Sequence, residues 1–434
     1  MRVESNARTY ARHLPLVPVE ASGVRVQDAA GRWYYDCLAG AGAASLGWNH
    51  PAVRESVERV LKSNAPWLTL DLPSPLRDEF VDELLQSMPP ELAQRGVVHL
   101  CGPTGASAVE AALTLAELAT GGDEFVAIEG GFHGCSLGAR EVSTAAGLRR
   151  NGRSLHRGTH FLPFPQQYRC PFGRGGQEGV ALATRAIERL FQSPHSPLVR
   201  PAAIIAECVQ GEAGSLPAPL AWLRALRAQA SSRGIPFIAD EVQAGMGRTG
   251  AMWSFQHSDI VPDVVVASKG LGAGIPIAVV VLHENLNVWQ PGAFTGTFRG
   301  NAFAFAAAIA TLRFVREQKL VDHVREVGER LLARLSEAGR ASACVGDVRG
   351  IGLMLGVEMV DPEGTADARG VLPPSPKVAR RLQRACFEAG LIVEIGGAYE
   401  NVVRFLPPLI VTREEVDAIA DRFGEALRQV EVGP

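Results

Sequence analysis

The 434 residues are 47% apolar and 21% charged, and the formal net charge is −3. A chain of this length and balance allows two or three domains, or one large one with an appendage, and is not disordered wholesale. No Lys/Arg run marks a nucleic-acid or anionic-membrane surface. The longest apolar runs, 302–310 and 275–282, fall far short of the ~20 residues that span a bilayer. The charged N-terminus, MRVESNARTYARH, lacks the apolar core of a secretory signal. Seven cysteines occur without a C-x-x-C pair, which argues against zinc knuckles and redox dithiols and points to a reducing, cytoplasmic setting with no metal.

In chain order, residues 23–36 read as a hairpin that turns between Asp28 and Gly31. Asn49-His50-Pro51 opens a helix to about Asn64, and a second helix covers about 74–88. From about 95 to 285, short apolar runs alternate with helical stretches. VVHL leads to a helix from Ala106, and FVAIE to a helix near 135–147. A helix at 178–192 precedes AAIIAE, then a helix at 219–233, PFIAD, VVVAS and IAVVVL. Runs with no in–out alternation are strands covered on both faces, and their alternation with helices predicts a mostly parallel sheet. Two helices follow, at about 301–317 and 320–339; strands at 351–359, 391–394 and 402–406 with helices at 375–388 and 413–429 then form a smaller α+β unit. The Gly/Pro-rich stretch 361–376 reads as a surface loop.

Ligands of an open parallel sheet bind beyond the carboxyl ends of its strands, so the residues after each run carry the functional reading. After VVHL, Thr104-Gly105-Ala106 opens a helix; this is an ordinary capped start or a phosphate cradle. FVAIE runs into GGFHG, with Phe132 either packed in the core or presented to a ligand. AAIIAE runs into ECVQGEAG, where Glu207 and Glu212 are either solvated carboxylates or functional ones. PFIAD ends in Asp240, which burial makes costly without a cationic partner. Lysine occurs only four times, and Lys269 alone lies at a strand end, between VVVAS and GLGAG. The GLGAG glycines lead into another strand rather than a helix, against a nicotinamide site. Together a phosphate cradle, an aromatic, a strand-end acid and a strand-end lysine fit pyridoxal phosphate.

The motifs DEVQAGMGRTG (240–250) and SKG (268–270), with FHG, VQGEAG, GTFRGN and VVRFLPPL in order, resemble the class III (ω-amino acid) aminotransferases, fold-type I pyridoxal-phosphate enzymes. The resemblance runs from about Arg8 to Leu427. CGPTGASAVEAAL, YRCPFG and LAGAG are most similar to 2,4-diaminobutyrate:2-oxoglutarate aminotransferases. It implies a large domain with a mostly parallel central sheet and a smaller α+β domain built from both termini. The expected boundaries are 1–65 (part of the small domain), 66–310 (cofactor-binding) and 311–434 (small domain). It implies that Lys269 forms the Schiff base and that Asp240 pairs with the pyridine nitrogen. Phe132 and Val242 take the two ring faces, Gln243 lies near the phenolic oxygen, and Thr104, Gly105 and Ala106 hold the phosphate. Thr297 reaches the phosphate across a homodimer, or a dimer of dimers. Arg404 binds an α-carboxylate and pairs with Glu212 when none is present. The substrates implied are small amino and oxo acids, with a terminal amino group passing to 2-oxoglutarate. Trp48, Ala43, Ile395 and Ala398 depart from the residues usual near the substrate mouth. That leaves open a lyase or carbon–carbon bond-forming reaction on a γ-substituted amino acid such as S-adenosylmethionine, with Trp48 at the mouth.

Overall fold

The computed structural model describes residues 5, 7–10, 13–144 and 158–432. Its centre is a seven-stranded sheet, numbered here β1 (Gly96–Leu100), β2 (Glu124–Ile128), β3 (Thr159–Leu162), β4 (Pro201–Ala206), β5 (Phe237–Asp240), β6 (Val264–Ala267) and β7 (Val279–His283). The spatial order is β1-β7-β6-β5-β4-β2-β3. β3, β2, β4, β5 and β6 run parallel, and β7 is antiparallel to both of its neighbours. The unalternating apolar runs have a direct cause. Val264 and Val266 face the alanine-rich helix Gly105–Thr120, while Val265 and Ala267 face the opposite layer with Trp222, Leu226 and Phe305. Full burial of each such valine contributes about 1.5–3 kcal/mol, so both faces must be apolar.

Helix starts follow local chemistry. Ser74, Thr104, Asn301 and Ser375 each accept a hydrogen bond from a backbone N–H in the first turn of the helix they cap. The hairpin expected at 23–36 is present as Arg25–Asp28 and Trp33–Asp36, and an unforeseen strand, Pro18–Ser22, joins it. Leu391–Ile392 adds a parallel fourth strand beside Trp33–Asp36, so both ends of the chain build one sheet.

Three expectations are corrected. The helix near 135–147 is five residues long, Leu137–Glu141, and 145–147 lie outside the described residues. The run 351–359 is not one strand but the second half of a hairpin, Val345–Ile351 paired with Met354–Met359. The run 391–394 is divided at Val393, its first part in the N-terminal sheet and Glu394–Gly396 paired with Val402–Phe405 in the C-terminal sheet. A single residue thus hands the chain from one sheet to the other. The strand Thr159–Leu162, the short helix Pro90–Arg95 and the two-residue strands Val209–Gln210 and Leu216–Pro217 were not foreseen.

Candidate active site

A cavity of about 330 Å³ opens at the carboxyl ends of the central strands. It gathers residues from five loops: Thr104, Gly105 and Ala106; Phe132 and His133; Glu207 and Glu212; Asp240, Val242 and Gln243; and Lys269. Loops as far apart in the chain as those of Thr104 and Lys269 meet here because the parallel strands all deliver their ends to one edge.

At one end lies the start of the helix Gly105–Thr120. The Thr104 hydroxyl caps it by accepting from Ser107 N at 3.2 Å. Gly105 and Ala106 sit in the first turn, where an N–H has no intrahelical acceptor. A Cβ on Gly105 would stand 2.9 Å from Val242 Cγ1, so only glycine lets this loop lie against the loop after β5.

At the other end, Asp240 is 3% exposed. Its Oδ2 takes the His133 Nδ1 at 2.6 Å, and its Oδ1 accepts from Val242 N at 3.0 Å. Burial alone would lower the His133 pKa; the bond to Asp240 and the charges of Asp240 and Glu207 overcome it and raise it. The His133 Nε2 is buried without a partner. Glu207 lies beneath, accepting from Phe132 N and Gly211 N at 2.9 Å each, and so ties the FHG loop to the loop that carries Glu212. Burial pushes its carboxyl up to about 7.

Lys269 follows β6 with φ 41°, in the left-handed region that a branched-chain or long side chain rarely adopts. Backbone strain of this kind persists where the surroundings over-determine it, as at functional sites. Ser268 Oγ, bonded to Ile277 O at 2.7 Å, and the short turn Lys269–Gly272 fix the loop.

Beside the cavity, Arg404 is fully buried on the strand Val402–Phe405. Its Nη1 meets Glu212 Oε1 at 2.9 Å and Glu394 Oε2 at 3.3 Å; its Nη2 donates to Gln243 Oε1 at 2.7 Å. Gln243 in turn donates to Ala41 O at 3.0 Å. A Cβ on Gly396 would lie 2.7 Å from Arg404 Cδ, so the guanidinium has its room from a glycine. Burial by itself would lower the Arg404 pKa, but Glu394 and Glu212 raise it well above the ordinary value. Burial opposes ionisation of Glu212, yet Arg404 and Lys269 bring its pKa below the usual carboxylate value.

Two residues named from sequence lie elsewhere. Thr297 is exposed and opens the turn Thr297–Gly300, outside the cavity of its own chain. Trp48 does not line this cavity. Its indole N–H donates to the buried Asp36 at 2.8 Å, and its ring packs with Leu14, Val26, Tyr34 and Ile392. The altered positions Ile395 and Ala398 do line a second cavity, of about 560 Å³, which shares Glu212 with the first. Sequence reasoning assigned no role to His133 or Glu394 and left Glu207 open between solvated and functional. The FHG motif signals the first; the cross-strand register of Glu394 and Arg404 is visible only in the fold.

The donor set fits pyridoxal phosphate. Free helix N–H groups face one end, a carboxylate backed by a buried imidazole faces the other, and a strained lysine stands between. The aminotransferase class-III family matches residues 6–427. The chain is 46% identical over 99% of its length to the diaminobutyrate–2-oxoglutarate aminotransferase of Rhizobium meliloti (strain 1021), covering 91% of that protein. It is 40% identical over 98% of its length to the enzyme of the same name from Haemophilus influenzae (strain ATCC 51907 / DSM 11121 / KW20 / Rd), covering 93% of it. A solved amine transaminase from an uncultivated Pseudomonas species, in its PLP-bound form, superposes with a TM-score of 0.88 at 27% identity and 99% coverage of both chains. A thermostable (S)-enantioselective ω-transaminase from Thermomicrobium roseum gives 0.87 at 26% identity, covering 99% of this chain and 96% of that one. The chain therefore belongs to the aminotransferase class-III family and is a pyridoxal-phosphate-dependent aminotransferase of fold type I.

Proposed function

We propose that this enzyme moves the terminal amino group of a diamino acid, 2,4-diaminobutyrate or a close analogue, to 2-oxoglutarate. The observation that carries the reading is the Glu212–Arg404 pair at 2.9 Å beside the cavity. A terminal amine has no carboxylate on its reacting carbon; 2-oxoglutarate has one. A buried arginine with a removable internal partner serves both, since a guanidinium can donate two parallel hydrogen bonds to either carboxylate. The relatives at 46% and 40% identity carry names that match this substrate pair.

When bound, pyridoxal phosphate supplies a carbonyl carbon that takes up amines and a ring that withdraws electrons from the carbon beside the nitrogen. The rest falls to the chain. Thr104, Gly105 and Ala106 hold the phosphate. Asp240, supported by His133, holds positive charge at the ring nitrogen. Phe132 and Val242 confine the ring, and Gln243 steadies Arg404 and the phenolic edge. Lys269 Nζ would hold the carbonyl carbon at rest and, when free, would move the proton at the substrate carbon.

Thr297 is read as completing the phosphate site of a neighbouring protomer. Trp67, Leu70, Leu72 and Phe298, all exposed, lie near it, because Thr69 N bonds Gly300 O and Ala302 N bonds Trp67 O. An apolar surface of this kind beside a displaced site residue supports a homodimer or a dimer of dimers; a fully active monomer at micromolar concentration would contradict it. Among the described residues, no helix is long and apolar enough to cross a membrane. The seven cysteines are all free, which supports a place in the reducing cytoplasm.

The test uses purified holoenzyme mixed with 2,4-diaminobutyrate and no oxo acid. The near-visible absorption of the cofactor should bleach, then return on addition of 2-oxoglutarate with one glutamate formed per turnover. Consumption of a γ-substituted amino acid with no amino group passed to 2-oxoglutarate would replace this reading with the lyase or bond-forming one.

A further inference from the structure

Arg404 has two carboxylates where the exchange with substrate needs only one. Glu212 comes from the turn after the strand Val209–Gln210; its side chain is 31% exposed and it lines both cavities. Glu394 differs in every respect. It is the direct antiparallel neighbour of Arg404, so the pleat sets both side chains on one face of the sheet. Its side chain is 7% exposed, it lines neither cavity, and its carboxylate stands 3.3 Å from the same Nη1 that Glu212 holds. The Tyr10 phenol of the N-terminal segment lies near enough to Glu394 for each to shift the other's pKa. Glu212 has somewhere to go; Glu394 has not.

We infer that Glu394 is the permanent counter-ion of Arg404 and sets the donor specificity of the site. This rests on the terminal-amine reading above. With Glu212 in place, Arg404 already faces two carboxylates, which favours an incoming ammonium whose reacting carbon bears no carboxylate over a further α-carboxylate. When Glu212 leaves, Glu394 still holds Arg404 in position, so the arginine does not follow Glu212 out. A dicarboxylate then brings two charges where Glu212 had one, and Glu394 opposes it. Glu394 is thus a positioning residue that acts through Arg404 and shifts preference away from α-carboxylate substrates and toward terminal amines.

Two measurements on Glu394→Gln decide it, and they differ in sign. Calorimetry on cofactor-free protein should show 2-oxoglutarate binding tightened by about threefold or more, the scale of one screened charge contact. Rapid mixing of holoenzyme should show the half-reaction with 2,4-diaminobutyrate slowed about tenfold in kcat/KM, while that with L-glutamate is unchanged or faster. Tyr10→Phe, which removes only the phenol from Glu394, should move both readouts the same way by less. If Glu394 only holds Arg404 in place, both variants weaken 2-oxoglutarate binding and slow both half-reactions, and the inference is overturned. Wild-type holoenzyme that reacts with L-glutamate but with no terminal diamine would overturn the functional reading itself, which is a separate outcome.

Discussion

Asp36 is buried under the turn that follows it, with Leu38 N and Ala39 N each 2.9 Å from Oδ1 and the Trp48 indole N–H 2.8 Å from Oδ2. Burial raises its pKa against the pull of these donors. Trp48 is therefore a structural donor to a costly buried acid. Trp48→Phe leaves Oδ2 without a partner in an apolar cluster, a loss of about 1–3 kcal/mol. The expected result is a lower unfolding midpoint with KM for both substrates within about twofold of wild type. A large rise in KM at unchanged stability would return Trp48 to the substrate mouth. The chemistry at the strand ends was legible because Asp240 and Lys269 are anomalous where they stand: an acid closing an apolar strand, and a rare lysine among valines and glycines. Trp48 misled because a tryptophan beside a glycine-rich turn reads equally well as a lid or as a packed anchor, and only its indole partner separates the two.

Elements close on one another through the residue next to Asp240. Glu241 caps the short turn Ser254–Ser258, accepting from Ser254 N at 2.8 Å, Ser254 Oγ at 2.6 Å and Phe255 N at 3.0 Å. Burial nevertheless pushes its carboxyl from 4.5 up to about 7. A carboxyl that binds its proton more readily in the folded state contributes stability that is full below its unfolded pKa and lost as pH rises through its folded one. For Glu241 that window runs from about 4.5 to about 7. Wild type should thus gain more in unfolding midpoint between pH 8 and pH 5.5 than Glu241→Gln does; equal gains would show that Glu241 is ionised throughout. Such a role cannot be read from DEVQAG alone, since the capped turn lies more than ten residues on. Long strands and helices were legible by contrast, because their apolar period is set by burial on one or two faces. The hairpin at 345–359 and the division at Val393 were not. Each depends on which sheet a short segment joins, and a two- or three-residue strand has no period of its own.

At the scale of the whole molecule, the architecture separates what is held from what exchanges. We take residues 66–310 as the cofactor-binding domain, whose parallel strands bring Lys269, Asp240 and the phosphate loop to one edge. The C-terminal sheet brings Arg404, with Glu394 beside it, against Glu212 and Gln243 at that edge. Glu212, on a turn between them, is the partly exposed member of the group. The central claim is that Glu212 and Arg404 form a switch between two substrates, and single-turnover half-reactions of Glu212→Gln and Arg404→Gln holoenzyme test it most directly. In Glu212→Gln the diaminobutyrate half should slow by about tenfold or more, because Arg404 loses its exchangeable partner and keeps only Glu394, while the 2-oxoglutarate half changes little. In Arg404→Gln the 2-oxoglutarate half should fall by about tenfold to a hundredfold, the loss of one charge-assisted anchor of about 1.5–3 kcal/mol, and the diaminobutyrate half should fall far less. Equal losses in both halves for both variants would contradict the switch and leave Glu212 and Arg404 as a structural ion pair.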